Sequence, residues 1–347
     1  MLIQSDKKIF GLDISDQALR LVQLKKQSKN IILDSYGEIN VPAEIIINGT
    51  IKEENKLSEL IKQLINSVQG EKISMKNVIA ALPETQTFIK LTTVPSTNPD
   101  ELPQLIKEEV KNHMPLDPEE IYFDWQIMSY TQKTTKLLIG AAPKQIVDSY
   151  FAVLEKSGLT PLALEVEAAA IARSLLDDND RQAKIVIDFG AVRTGLIVYD
   201  QGTIQFTVSL PISGNRITQT IAKTLNLKID EAEKAKVVCG LDRNKCEGAL
   251  LKILLTAIED LTTQIKKSMV FYGSNFPGGN PVSEVILCGG GANFSGIDQV
   301  LGDKLAIPVR IGNPLLNIKP NKKLSLPSNK ILSYTSAIGL ALRAFQK

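Results

Sequence analysis

Three short segments combine residue types suited to holding a phosphorylated ligand. Asp13 closes the apolar run 8–13, ahead of the turn Ser15-Asp16-Gln17, and residues 18–24 are apolar again with Arg20 and Gln23 interleaved. Asp188 closes a second such run, Lys184-Ile185-Val186-Ile187-Asp188, followed by the turn Phe189-Gly190-Ala191-Val192-Arg193 and the run 194–199. A carboxylate at a strand end can hold a hydrated divalent cation, while the turn's amides and the Thr194 hydroxyl face phosphate oxygens. The third segment, Ile286-Leu287-Cys288-Gly289-Gly290-Gly291-Ala292, is a buried-strand pattern opening onto three glycines, whose backbone can approach a flat or anionic ligand without Cβ interference. Each segment alone has a plainer reading, as a hairpin cap or a tight strand-to-helix turn. Ser15 stands where the second copy has Gly190, and Asp16 adds a negative charge there, which predicts weaker anion binding at the first turn.

The elements that must position these segments follow from hydrophobic period. The two hairpins lie about half of the 347-residue chain apart, which predicts an internal duplication into two similar α/β halves with the site in the cleft between them. Leu57, Leu60, Ile61, Leu64, Ile65 and Val68 have helical spacing and predict a helix covering the first sheet. Strands are expected at 78–82, 87–94, 122–129 and 135–142. Helices are expected from Asn98-Pro99-Asp100-Glu101 to about His113 and over 144–157. The strand-helix-strand-strand-helix block at 83–158 reads as an inserted subdomain. Further on, the pattern predicts a strand at 203–210, helices at 214–225, 230–238 and 247–271, the buried strand 285–288 and a last helix at 333–345.

Composition narrows the function classes. At about 150 residues per domain the length predicts two or three domains. Forty basic against 38 acidic residues leave a net charge of +2, so no global basic field would hold nucleic acid or an anionic membrane. One histidine and three cysteines, Cys239, Cys246 and Cys288, without a C-x-x-C pair, argue against a zinc site, a histidine-based triad or a disulfide framework, and predict a cytosolic protein. Neither a signal peptide nor an apolar run of the ~20 residues that span a bilayer is apparent, so membrane association is expected only through a partner. His113 reads as a helix-end residue and Trp125 as a packing residue.

In this order and at this separation, the two acid-turn hairpins and the triple glycine resemble the phosphate-1, phosphate-2 and adenosine segments of the actin, Hsp70 and sugar-kinase superfamily. Glu165-Val166-Glu167-Ala168-Ala169-Ala170-Ile171-Ala172 resembles the first connecting helix of bacterial actins. Asp230-Glu231-Ala232-Glu233-Lys234-Ala235-Lys236 resembles the Ala-Glu-x-x-Lys helix whose Glu and Lys flank ribose and adenine; Glu233 and Lys236 share a helix face, a spacing equally ordinary on solvated helices. Over essentially its whole length the chain resembles the PilM family, actin-like proteins of type IV pilus assembly related to FtsA. The resemblance rests on Phe10-Gly11-Leu12-Asp13-Ile14, the Leu82-Pro83 to Val94-Pro95 stretch, Gly140-Ala141-Ala142-Pro143, Val186-Ile187-Asp188-Phe189-Gly190 and Ser336-Ala337-Ile338-Gly339-Leu340-Ala341.

The resemblance implies an actin/Hsp70-like (ribonuclease H-like) duplicated α/β fold with an FtsA-type small α+β insertion. Its divisions would be a first core at 1–82, the insertion at 83–158, the end of the first domain with its connecting helix at 159–186, a second domain at 187–332 and a returning C-terminal helix at 333–347. It implies ATP and Mg²⁺, with Asp13 and Asp188 on the metal and Ser15, Gly190, Thr194, Glu233, Lys236, Gly289, Gly290 and Gly291 also on the nucleotide. Glu165 would be the water-positioning acid, Glu167 pointing elsewhere on a common helix. The expected role is a cytoplasmic scaffold at the inner membrane that binds the N-terminal tail of PilN in a groove beside the insertion and relays to PilO and the motor ATPases. The chain ends after the last helix, so the membrane-targeting tail of FtsA-like chains is not expected. With no obvious arginine finger, weak or no ATPase activity is expected. Two other classes are an FtsA-like, self-associating filament former and a sugar or acetate kinase; the latter should carry a polar substrate cluster in the insertion, and none is evident.

Overall fold

The computed structural model describes residues 9–346 apart from 97, 99, 113, 115, 178, 242–244 and 249, so His113 and the Pro99 helix-start signal lie outside the described residues. The first half is built on β1 (Phe10–Ile14), β2 (Ala18–Gln27) and β3 (Asn30–Asn40), with a small β4 (Ile46–Ile47) and β5 (Thr50–Ile51) hairpin. The helix α1 (Glu54–Asn66), the short β6 (Gln69–Gly70) and β7 (Asn77–Leu82) follow. Every residue of β1 is buried, because the strand lies mid-sheet with helices on both faces. Leu57, Ile61 and Leu64 of α1 are the buried stripe its periodicity predicts.

β8 (Phe88–Pro95), α2 (Leu102–Lys111), β9 (Ile121–Tyr130), β10 (Thr134–Pro143) and α3 (Lys144–Lys156) come next, then β11 (Thr160–Val166) and α4 (Glu167–Leu175). Packing divides this block. Val94, Ile106, Val110, Leu137 and Ile139 form a core of their own, whereas Ile146, Tyr150, Val153 and Leu154 of α3 join Phe10, Leu12 and Leu57 in the core of the first half.

The second half contains β12 (Ala183–Phe189), β13 (Thr194–Asp200), β14 (Thr203–Leu210), α5 (Gly214–Leu225), α6 (Ile229–Cys239), α7 (Leu251–Asn275), β15 (Val282–Cys288), α8 (Ile297–Leu305), β16 (Val309–Ile311) and α9 (Thr335–Leu342). The strand order β11-β7-β1-β2-β3 of one sheet repeats as β16-β15-β12-β13-β14 in the other, with parallel and antiparallel neighbours in the same places. The duplication read from the two hairpins is thus a duplication of whole sheets. Strands β8, β10 and β9 extend the second sheet: β14 meets β8 through Phe206 opposite Lys90, and β10 and β9 continue outward.

The halves are joined by α4 and α9, which approach closely because Gly339 faces Ala170; a Cβ at 339 would sit 1.8 Å from the Ala170 carbonyl oxygen. Gly11 meets the same helix, its Cβ position 2.4 Å from the Ala337 oxygen.

Three expectations change. Glu165 and Glu167 do not share a helix: Glu165 lies in β11 and Glu167 opens α4, so they point to different neighbours. The long helix runs over 251–275 rather than 247–271. Cys239 and Cys246 are joined in a disulfide seven residues apart, a pairing that spacing alone did not reveal because α6 ends at Cys239 and the chain folds back. Cys288 is free and buried. Among the described residues no helix is long and apolar enough to cross a membrane.

Candidate functional site

The repeated strand order places Asp13 and Asp188 at matching strand ends, both on one cavity of about 180 Å³ between the halves. Ser15, Gly190, Gly289 and Gly290 line it too, with Glu167 from α4 and two arginines, Arg20 and Arg193. A second cavity of about 560 Å³ shares Gly190 and Gly290 with the first and is walled by Gly291, Thr218, Ile229, Glu233, Lys236, Val237 and Phe294. That volume lies within the ~300–1,000 Å³ of small-ligand sites. The two together make a narrow acidic chamber opening into a wider, half-apolar one, the proportions of a phosphate tail and a nucleoside.

The chamber's charges are crowded. Asp13 is 4% exposed, with Arg20 Nη1 3.6 Å from its Oδ2. Burial first, then Glu167, pushes the Asp13 carboxyl up to about 7, with Arg20 opposing. Asp188 is likewise raised to about 7 by burial and Glu167, against the pull of Arg193. The excess of carboxylates favours a bound cation. Among the described residues no three side chains converge on one metal position, and Mg²⁺ commonly takes one or two carboxylates plus waters and phosphate oxygens. Two aspartates beside a phosphate-sized chamber fit that donor set.

The turns are built to stay close to a ligand. Gly289 has φ +78°, and a Cβ there would lie 2.4 Å from Asp188 Oδ1. At Gly290 a Cβ would meet nothing within 4 Å, because the position faces the open cleft, while at Gly291 it would strike the Phe189 ring at 2.5 Å. Ser15 closes its turn, donating from Oγ to the Ala18 carbonyl at 2.9 Å. The extra charge of Asp16 is not free: its two oxygens accept from the Asn48 and Gly49 amides, both at 2.9 Å, fastening the β4–β5 turn to the cleft rim.

In the wider cavity, Lys236 is 4% exposed and donates all three of its protons within the protein, to Gly214 O at 3.2 Å, Thr218 Oγ1 at 2.7 Å and Glu233 Oε2 at 2.6 Å. It ties α5 to α6 and presents Glu233 to the cavity; its ammonium also stands 5.6 Å from the Phe294 ring centre.

Two expected residues face elsewhere. Thr194 is fully buried and donates to the Ile212 carbonyl at 2.7 Å, so it anchors the turn from below. Glu165 is held by both arms of Arg173 at 2.9 Å and by Arg343, off the cavity wall. Glu167 occupies the cleft instead. Sequence reading missed Arg193, which donates to Glu84 and Glu167 at 2.8 Å each. The signal available was an arginine inside the second turn, where the first turn has none.

Residues 11–345 match the family model described as type IV pilus assembly protein PilM. The chain belongs to this family. The PilM assignment agrees with the solved PilM-PilN type IV pilus biogenesis complex, whose matched chain superposes with a TM-score of 0.83 at 23% identity, covering 98% of this chain and 99% of that one. MreB5 of Spiroplasma citri bound to ADP gives a TM-score of 0.54 at 14% identity, over 98% and 95% of the two chains. These likenesses establish the actin-like fold. Cell division protein FtsA of Neisseria meningitidis is 26% identical over 54% of the chain and 50% of its own length, so this PilM-family chain spans half of that relative. FtsA of Streptococcus pneumoniae is 22% identical over 88% and 75%.

Proposed function

We propose that the chain is an ATP- and Mg²⁺-binding scaffold of type IV pilus assembly, held at the cytoplasmic face of the inner membrane by the N-terminal tail of PilN. The observation that carries the nucleotide reading is the pairing of Asp13 and Asp188 on one chamber that opens into the Glu233-walled cavity. Asp13 and Asp188 would hold the cation, which neutralises phosphate charge when bound. Backbone at Gly190, Gly289 and Gly290 would face the phosphates, and Glu233, positioned by Lys236, the ribose. PilN as partner is supported by the solved PilM-PilN complex to which this chain is similar, and its N-terminal tail would lie beside the inserted strands, where an extended peptide can use backbone hydrogen bonds and alternate side-chain pockets. Relay to PilO and the motor ATPases belongs to the same proposal.

Turnover is proposed to be slow. Glu167, the acid in place to orient water, is engaged by Arg193 and by Ser336, whose Oγ donates to it at 3.0 Å. Peptide titration tests the scaffold reading: a labelled PilN N-terminal peptide against the full chain and against one with residues 86–141 replaced by a flexible linker, which spares α3 and Ala142 of its core. If the shortened protein still binds an ATP analogue and captures the peptide as tightly as the full chain, the insertion is not the docking surface.

One observation favours a second reading, FtsA-like self-association. β9 ends the larger sheet, is ten residues long, carries a single charge at Asp124 and exposes Tyr122, Ile127 and Tyr130. Concentration-dependent sedimentation with and without ATP separates the two.

A further inference from the structure

Arg193 leaves the turn between β12 and β13 and fastens two elements outside its own half. Its Nη1 donates to Glu84 Oε2 and its Nη2 to Glu167 Oε2, each at 2.8 Å. Glu84 begins the short turn of helix Glu84–Gln86 that joins β7 to β8, the joint through which the first half leads into the inserted strands. By strand order this joint is the first-half counterpart of the Gly289-Gly290-Gly291 turn after β15. Glu167 opens the connecting helix α4. One guanidinium therefore pins the phosphate-facing turn, the joint and the hinge helix together.

The joint is built to receive this contact. Residue 195 is glycine, and a Cβ there would lie 2.4 Å from Glu84 Oε2, so any larger residue would push the carboxylate out. Glu84 is 4% exposed, yet its other oxygen, Oε1, has no hydrogen-bond partner among the described residues. A buried acceptor left unmet is costly, so the latch holds Glu84 in an incompletely satisfied position. Arg193 meanwhile lines the chamber beside Gly190, Ala191, Gly289 and Gly290.

Resting on the nucleotide reading above, we propose that Arg193 is the residue that distinguishes a nucleoside triphosphate from a diphosphate here, and that its transfer from Glu84 to the terminal phosphate frees the β7–β8 joint. A terminal phosphate offers the Nη1 arm of Arg193 an oxygen of higher charge than the single Glu84 oxygen it now holds, so the two compete for that arm while Nη2 keeps Glu167. Glu84 can be abandoned without leaving a buried charge, since burial already pushes its carboxyl up to about 7 against the pull of Arg193. The nucleotide state then reaches the inserted strands through one displaced side chain.

The test uses the full chain with Mg²⁺, titrated with a non-hydrolysable ATP analogue and with ADP, alongside amide hydrogen exchange over residues 84–95. The wild-type chain should prefer the triphosphate, and the analogue but not ADP should speed exchange in that segment. Arg193→Ala should lower the triphosphate-to-diphosphate affinity ratio about tenfold. Glu84→Gln should raise that ratio severalfold, a gain that a misfolded chain cannot produce. An unchanged ratio in Glu84→Gln, equal loss of both nucleotides in Arg193→Ala, or exchange insensitive to the analogue overturns the inference and leaves nucleotide binding standing. If neither nucleotide binds the wild-type chain, the nucleotide reading itself fails and the inference with it.

Discussion

Asp13 and Asp188 end corresponding strands of the two halves, but the residues directly across the ladder from them differ in kind: Arg20 opposite Asp13, Gly195 opposite Asp188. The first carboxylate thus faces a cation across its ladder, whereas the second faces a glycine whose missing side chain leaves room for Glu84, the partner of Arg193 from the same hairpin's turn. A duplicated framework with unlike charges on its two faces gives the cleft a direction.

The glycine turn separates ligand space from fold. Gly290→Leu should cut nucleotide affinity at least tenfold with little change in thermal stability, because its side chain would project into the open cleft. Gly291→Leu should instead destabilise by roughly 1–3 kcal/mol through overpacking on Phe189. Calorimetric titration and thermal unfolding of both variants check this pair.

Much of this was legible in the sequence. Period and the repeated Asp-turn pattern located the sheets, the duplication and the strand ends at 13 and 188, since a strand end fixes where its last side chain points. What was not legible depended on contacts between distant segments. Glu165 and Glu167 are two residues apart, but a strand-to-helix junction between them sends one to Arg173 and the other into the cleft. Arg193 gains its place from Glu84, more than a hundred residues away, and Thr194 turns inward because Ile212 offers a carbonyl there. The Cys239–Cys246 bond likewise depends on the chain folding back after α6.

Glu165 is predicted to matter to the hinge. It bridges Arg173 and Arg343, joining α4 to the C-terminal turn. Glu165→Ala should cost about 3–5 kcal/mol by leaving two guanidinium groups without their buried partner, measured by denaturant unfolding. A large loss of ATP turnover without loss of stability would return Glu165 to the chemistry.

Glu84 should leave a pH signature. Its carboxyl is raised from 4.5 to about 7 in the folded chain, so the folded state favours the protonated form. The stability this gives is present below pH 4.5 and lost as pH rises to about 7. Glu84→Gln should therefore flatten the decline in ligand-free stability across that window by roughly 1–3 kcal/mol relative to the wild-type chain. Parallel unfolding curves at every pH for the two proteins would contradict it.

Close helix contact at the hinge predicts that Gly339→Ala is among the most damaging small substitutions. Its Cβ would overlap the Ala170 carbonyl, and helices α4 and α9 can separate only by disturbing both halves. A loss of about 1–3 kcal/mol or more is expected in thermal unfolding.

Titration with a fluorescent ATP analogue, with and without Mg²⁺, tests most directly whether Asp13 and Asp188 bind a nucleotide through a shared cation. The wild-type chain should bind about tenfold more tightly with Mg²⁺, and Asp13→Asn or Asp188→Asn should each remove that gain while the protein stays folded. Equal affinity with and without Mg²⁺ in all three proteins would contradict it.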